Sequence, residues 1–172
     1  MFEVLDVGCG TNPTGTVNVD LHVGICEHRA SIPFVPKEIP NFVLCDGEHL
    51  PFKDNSFDKV FSRHSLEHVG RKPQETNTGP FFMLTEMVRV AKKEVEIIVP
   101  HRFSLANAEK RFWRRRHNAF FNLKWFNRVI PKVERKLNVK LSVLVDLIFK
   151  PIIVYFVMMP SDIHITLIKR QI

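Results

Sequence analysis

"VLDVGCGTNPTGTVNVD", Val4 to Asp20, decides how this chain folds. An apolar run carries Asp6 near its end, turns at Gly8 and Gly10, and a second short run closes on Asp20. Short β-branched runs bounded by Gly and Pro read as strands. Glycine tolerates unusual φ angles and lets the backbone approach a ligand closely. In an open α/β sheet ligands sit at the carboxyl ends of the strands, where Gly8 and Gly10 fall. Asp20 ends the second strand, where its carboxylate can accept from two ribose hydroxyls. The turn lacks the GK[ST] of a phosphate loop, and Pro13 stands where GxGxxG needs its last glycine, which argues against nucleotide triphosphates and dinucleotides. Parallel strands usually need a crossover of a dozen or more residues, commonly a helix. Gly8 to Thr16 offers nine, with Pro13 and Gly15 among them. The crossover helix is therefore expected to be absent or cut to a turn, with Asn12 to Gly15 looping over the edge.

The 172 residues carry a net charge of +7 and are 45% hydrophobic, the profile of one globular domain, 1–172. The charge is uneven. His101 to Lys140 holds twelve Lys or Arg against two Glu. That basic insert faces an anionic partner or is solvated. Cys9, Cys26 and Cys45 are an odd number without CxxC spacing, as in a reduced cytoplasmic protein. No basic region precedes an apolar leader, since Glu3 and Asp6 interrupt the first run. Leu141 to Pro160 has the length of a membrane span, but Asp146, Lys150 and Pro151 lie in its middle. It reads as one or two buried strands, with no membrane span.

Strand-like runs recur at Phe2–Val7, Val17–Val19, Asn41–Cys45, Phe57–Ser62, Glu94–Val99, Val139–Phe149 and Ile163–Lys169. The first five are nearly continuous, as in strands buried on both faces. Helical spacing predicts a helix over Pro80–Lys93 and another over Asn118–Ile130 capped by Asn118, with Pro131–Asn138 a further turn or short helix. Alternating strands and helices argue an α/β fold with a mainly parallel sheet. The last two strands have little between them that looks helical, so they are expected to pair antiparallel at the sheet edge.

The block "VLCDGEHLPFKDNSFDKVFSRHSLEHV", Val43 to Val69, adds a second signature. Together with "VLDVGCG" and the "VD" ending at Asp20, it resembles the class I S-adenosylmethionine-dependent methyltransferases, in particular the subgroup with an "LPF.D.SFD" pattern. The resemblance covers about Val4 to Val99. It implies a Rossmann-like doubly wound sheet of about seven strands, with S-adenosyl-L-methionine as cofactor. It further implies that Asp6, Gly8 and Gly10 wrap the methionine portion, that Asp20 binds the ribose, and that Asp46 and Gly47 flank the adenine. Leu50 and Pro51 match apolar contacts beside the adenine. Ser62, Arg63 and His64 border the methionine end and the acceptor, and Glu67 and His68 match the family's "LEH". The family's third glycine position is Asn12 here. With the crossover helix absent or short, the methionine side is expected to be more open: a partner, a dimer contact or the basic insert closes it, or binding is weak.

The methyl acceptor is left open. Methyl transfer needs a base only where the acceptor must lose a proton. His64 and His101 are the candidate bases; His101 and Arg102 follow the fifth strand, whose carboxyl end faces the cleft, and His117 is a weaker candidate. "KRFWRRRHNAFF" interleaves aromatics with Lys110, Arg111, Arg114, Arg115 and Arg116, a mixture suited to RNA, to an anionic small substrate, or to a plain solvated face. "HSLEH" formally matches a zinc-peptidase pattern, but it follows a strand directly and the methyltransferase signature accounts for it. Asp54 and Asn55 read as turn residues and Asp58 as structural. No [DNS]PP[FYW] follows the fourth strand, and no cysteine sits by a proline there for covalent catalysis. Three readings follow: a small-molecule methyltransferase, slightly favoured; an RNA or protein methyltransferase using the insert; and a non-catalytic cofactor-binding subunit, suggested by a chain that begins on its first strand.

Overall fold

The computed structural model describes residues 2–22, 38–70, 79–101, 104, 121–152 and 157–170. Within them lie β1 (Val4–Val7), β2 (Val17–Asp20), β3 (Phe42–Leu44), β4 (Phe57–Arg63), α1 (Gly79–Val90), β5 (Ala91–Pro100), α2 (Leu123–Leu137), β6 (Lys140–Ile152) and β7 (Val157–Arg170). They form one seven-stranded sheet in the order β3-β2-β1-β4-β5-β7-β6. β1 to β5 run parallel, β7 is antiparallel to β5, and β6 is antiparallel to β7. The antiparallel strand thus sits one place in from the edge, and β6 forms the edge itself.

No helix lies between β1 and β2. Side chains bonded to backbone hold the short crossover instead. Asp6 Oδ2 accepts from both the Thr14 N–H and the Thr14 hydroxyl (2.9 Å each). The Thr16 hydroxyl bridges the N–H and carbonyl of Val4 (2.9 and 3.0 Å). Asn18 bonds the N–H and carbonyl of Gly15 and the carbonyl of Pro40. Gly15 lies flat on β1: a Cβ there would stand 2.8 Å from Asp6 N and 2.9 Å from the Val4 carbonyl.

The core fills the face carrying Leu5, Val60, Val95, Ile97, Ile163, Ile165 and Leu167, under α1 and α2. α1 ends at Val90 rather than Lys93, because Ala91 pairs with Phe57 and opens β5. Lys169 Nζ donates to the carbonyls of Val88 and Ala91 (3.1 and 3.0 Å), satisfying the chain where the helix stops. Arg89 ties α1 to the turn before β4, donating to the carbonyls of Leu50 and Phe52 and to Asp54. Asn55 takes a left-handed conformation in that turn (φ 54°). The two stretches expected as separate helices are one. α2 is capped by Asn122, whose side chain accepts from Trp125 N–H (3.0 Å), and it continues through Pro131 because Trp125, Val129 and Val133 keep the buried stripe in phase. Asn118 lies outside the described residues.

The expectation that these strands are buried on both faces fails for β3, where Leu44 is exposed and no residue is fully buried, and for β4 and β5. In β5 Val95, Ile97 and Val99 are buried while Glu94, Glu96 and Ile98 alternate with them, only partly covered. That open face carries an ion-pair row: Lys59 contacts Glu94 (2.9 Å) and Glu96, and Glu96 stands 2.8 Å from His164. β6 corrects the buried-strand reading of Leu141–Pro160 as well, since Val143 to Ile148 are exposed. No helix among the described residues is long and apolar enough to cross a membrane.

Candidate functional site

A cavity of about 370 Å³ opens at the carboxyl ends of β1, β2 and β4. Gly8 and Gly10, both at positive φ, form its floor, and the N–H groups of Gly8 and Cys9 bond the Val19 carbonyl (2.9 and 3.1 Å). This pins the glycine turn to the end of β2. Asp20 is buried there; its two oxygens accept from the N–H groups of Gly10 (3.0 Å) and His22 (3.1 Å). Asp46 follows β3, accepts from Glu48 N–H (2.9 Å) and is half exposed beside Gly47.

The structure brings Gly8, Gly10, Asp20, Asp46, Gly47, Arg63 and His64 to this cavity. Asp6, Leu50, Ser62 and His101 do not line it. Asp6 is buried beneath the turn as the clamp on Thr14, and burial pushes its carboxyl up against the pull of those hydrogen bonds. The Ser62 hydroxyl donates to the Val7 carbonyl (2.9 Å), joining β4 to β1 below the floor. Leu50 is in the core, its N–H on Glu86 (3.0 Å). His101 binds through its backbone to Ser161 and Ser104 (3.0 and 2.8 Å). Lys110, Arg111, Arg114, Arg115 and Arg116, with Arg102, His117 and Cys26, lie outside the described residues.

Sequence reasoning missed several lining residues: Cys9, His22, Cys45, Glu48, Ser65, Gly70 and Met83. Met83 reaches the cavity from α1, which no local pattern announces. Cys45 was legible only as a neighbour of Asp46. Burial pushes its thiol up to about 11, helped by the charges of Asp46 and Asp20. Burial likewise raises Glu48, with Asp46 adding to it.

At the other end β4 runs out at Arg63, and His64 takes a left-handed conformation (φ 52°) before a 3-10 turn over Leu66–His68. The turn places Glu67 under the imidazole. His64 Nδ1 is 3.6 Å from Glu67 Oε1, and Nε2 is 3.7 Å from Asp162 Oδ1 on β7. His68 Nε2 is 3.9 Å from the same Glu67 oxygen. Burial alone would raise the Glu67 carboxyl; contact with His64 and the charge of His68 outweigh it and hold it below the ordinary value.

The chemistry of the lining matches a sulfonium nucleoside. Asp20, Asp46 and Glu48 supply acceptors for hydroxyl and amino groups and negative charge for a cation, Arg63 suits a carboxylate tail, and among the described residues no lysine lines the cavity for a polyphosphate. The methyltransferase-domain family profile matches residues 5–99, the stretch that builds this cavity.

The chain belongs to the methyltransferase-domain family. It carries a methyltransferase domain over residues 5–99. Among curated relatives it is similar to the probable tRNA methyltransferase 9B of Bos taurus, 26% identical over 98 residues, 56% of this chain and 19% of that protein. The Mus musculus protein of the same description is 28% identical over 88 residues, 51% of this chain and again 19% of its own length. The matched stretch is thus about a fifth of those proteins. Among solved structures, the fold is similar to a methyltransferase from Archaeoglobus fulgidus (TM-score 0.65, 16% identity, 98% of this chain and 86% of that one). It is also similar to phosphoethanolamine N-methyltransferase 2 of Haemonchus contortus in complex with S-adenosyl-L-methionine (TM-score 0.61, 16% identity, 99% and 49%).

Proposed function

We propose that this methyltransferase domain acts on a small-molecule acceptor whose oxygen or nitrogen loses a proton to His64. The observation that carries this is the setting of His64: its side chain is 46% exposed at the cavity, with one carboxylate facing each ring nitrogen. S-adenosylmethionine, which the sequence signature implies and which the Haemonchus contortus neighbour holds, would supply an electrophilic methyl on a sulfonium. Asp20 and Asp46 would hold the ribose and adenine and Arg63 the tail, with the glycine turn beneath them. The acceptor's lone pair forms the new bond to the methyl carbon as the carbon–sulfur bond breaks, and the acceptor's proton passes to His64. The imidazolium so formed donates N–H groups toward Glu67 and Asp162. Alignment and exclusion of water supply most of the remaining acceleration. An odd number of cysteines without CxxC spacing favours a reducing, cytoplasmic setting.

A tRNA acceptor is the second reading, favoured by the description of the curated relatives and by the basic aromatic stretch Lys110 to Phe121. Incubation with labelled S-adenosylmethionine and cell extract split into RNA, protein and small-molecule pools separates the two. Label in the small-molecule pool, reduced about 10²-fold or more by His64→Ala with cofactor affinity kept, is expected. Label in tRNA alone would overturn the first reading, and full turnover by His64→Ala would remove the base.

A further inference from the structure

Among the described residues β6 (Lys140–Ile152) is the outermost strand, bonded to β7 on one side only. Edge strands present unpaired N–H and C=O groups and are usually short or covered. β3, at the opposite edge, has three residues; β6 has thirteen. Most of its exposed side chains are apolar: Val143, Val145 and Leu147 on the face shared with buried Leu167, Ile165 and Ile163, and Leu144 and Ile148 on the open face. The pairing with β7 shifts between Ile148 and Phe149, so the regular stretch is Lys140 to Ile148.

That stretch contains two charges, Lys140 and Asp146, both on the open face. There the row Lys59, Glu96, His164 leads across the sheet to Asp146, which stands directly opposite His164. An antiparallel copy with Val143 on the two-fold axis would set Lys140 against Asp146 of the partner subunit, twice by symmetry. Leu141 would then face Val145 of the partner subunit. Centring on Leu144 sets Asp146 against Ser142 of the partner subunit and leaves both charges unanswered. Centring on Val145 sets Asp146 against Leu144 of the partner subunit and again leaves it unanswered. Opposite charges across a ladder stabilise and like charges oppose it, so one register is selected.

We propose that two copies of this chain pair edge to edge through β6, antiparallel about Val143, into one continuous sheet. A lipid surface fits less well, because Asp146 sits among the exposed apolar residues and repels anionic headgroups.

Sedimentation of the 172-residue chain, with and without phosphatidylcholine–phosphatidylserine vesicles, tests this. A concentration-dependent dimer is expected, with no co-sedimentation with vesicles. Asp146→Lys and Lys140→Asp should each raise the dissociation constant about tenfold or more, and the double exchange should bring it back to within about threefold of wild type. Circular dichroism checks that each variant is folded. A monomer at about 100 µM, a range where even weak dimers form, would overturn the proposal. So would vesicle binding in place of self-association, or a folded double exchange that stays monomeric.

Discussion

Gly8→Ala puts a methyl group where the fold has no room. Gly8 sits at φ +76°, and a Cβ there would stand 1.9 Å from Ser65 Oγ and 2.4 Å from Ser65 Cβ. The left-handed backbone costs about 1–2 kcal/mol for a residue with a side chain. Displacing Ser65, and with it the start of the 3-10 turn that carries Glu67, adds about 1–3 kcal/mol. The expected loss is about 2–5 kcal/mol, a fall in Tm of about 2–4 °C for each kcal/mol in a chain of this size. Ser65→Gly removes both clashing atoms at a cost of its own of about 0.5–1 kcal/mol. The double variant should therefore be more stable than the sum of the two single changes, by about 1–3 kcal/mol of coupling. Urea unfolding followed by circular dichroism reads all four proteins, and calorimetric titration with S-adenosylmethionine reads the site. Additive losses within about 0.5 kcal/mol would mean that no contact between the glycine turn and the 3-10 turn limits this position, and the reasoning would be wrong.

Three further expectations concern buried groups. Asp6→Ala leaves the Thr14 N–H unpaired and should cost about 1–3 kcal/mol in urea unfolding, whereas Asp6→Asn keeps an accepting oxygen in place. Because burial raises the Asp6 carboxyl, its ionisation works against the fold, so the advantage of wild type over Asp6→Asn should shrink as pH rises from about 3.5 to 7. Glu67 behaves in the opposite sense: its carboxyl is held low, so its contribution is present above the ordinary value of 4.5 and is lost as pH falls through its folded value. The stability gap between wild type and Glu67→Gln should narrow on acidification, and a gap that widens would contradict the assignment. Cys45, with its thiol pushed up to about 11, should be alkylated at pH 8 about a hundredfold more slowly than an ordinary exposed thiol, measured by mass spectrometry of its peptide.

Much of the fold could be read along the chain because its signals are local. The strand, glycine turn and second strand from Val4 to Asp20 announce themselves through β-branched runs and two glycines, and the nine-residue gap rules out a full helix by length alone. The acids that mark the cavity, Asp20 and Asp46, lie at strand ends, where the α/β architecture puts ligands. Other features depended on distant parts of the chain. Asp6 looked like a ligand because it precedes the glycines; only the fold of Thr14 back over it makes it a clamp. Val139 to Phe149 reads as a core strand by hydrophobicity, and only its position outside β7 exposes it. Sequence alone nominated His64 among several histidines. The tertiary structure set it between Glu67, three residues on, and Asp162, which β7 returns to its side, because electrostatic contacts depend on distance in space and not along the chain.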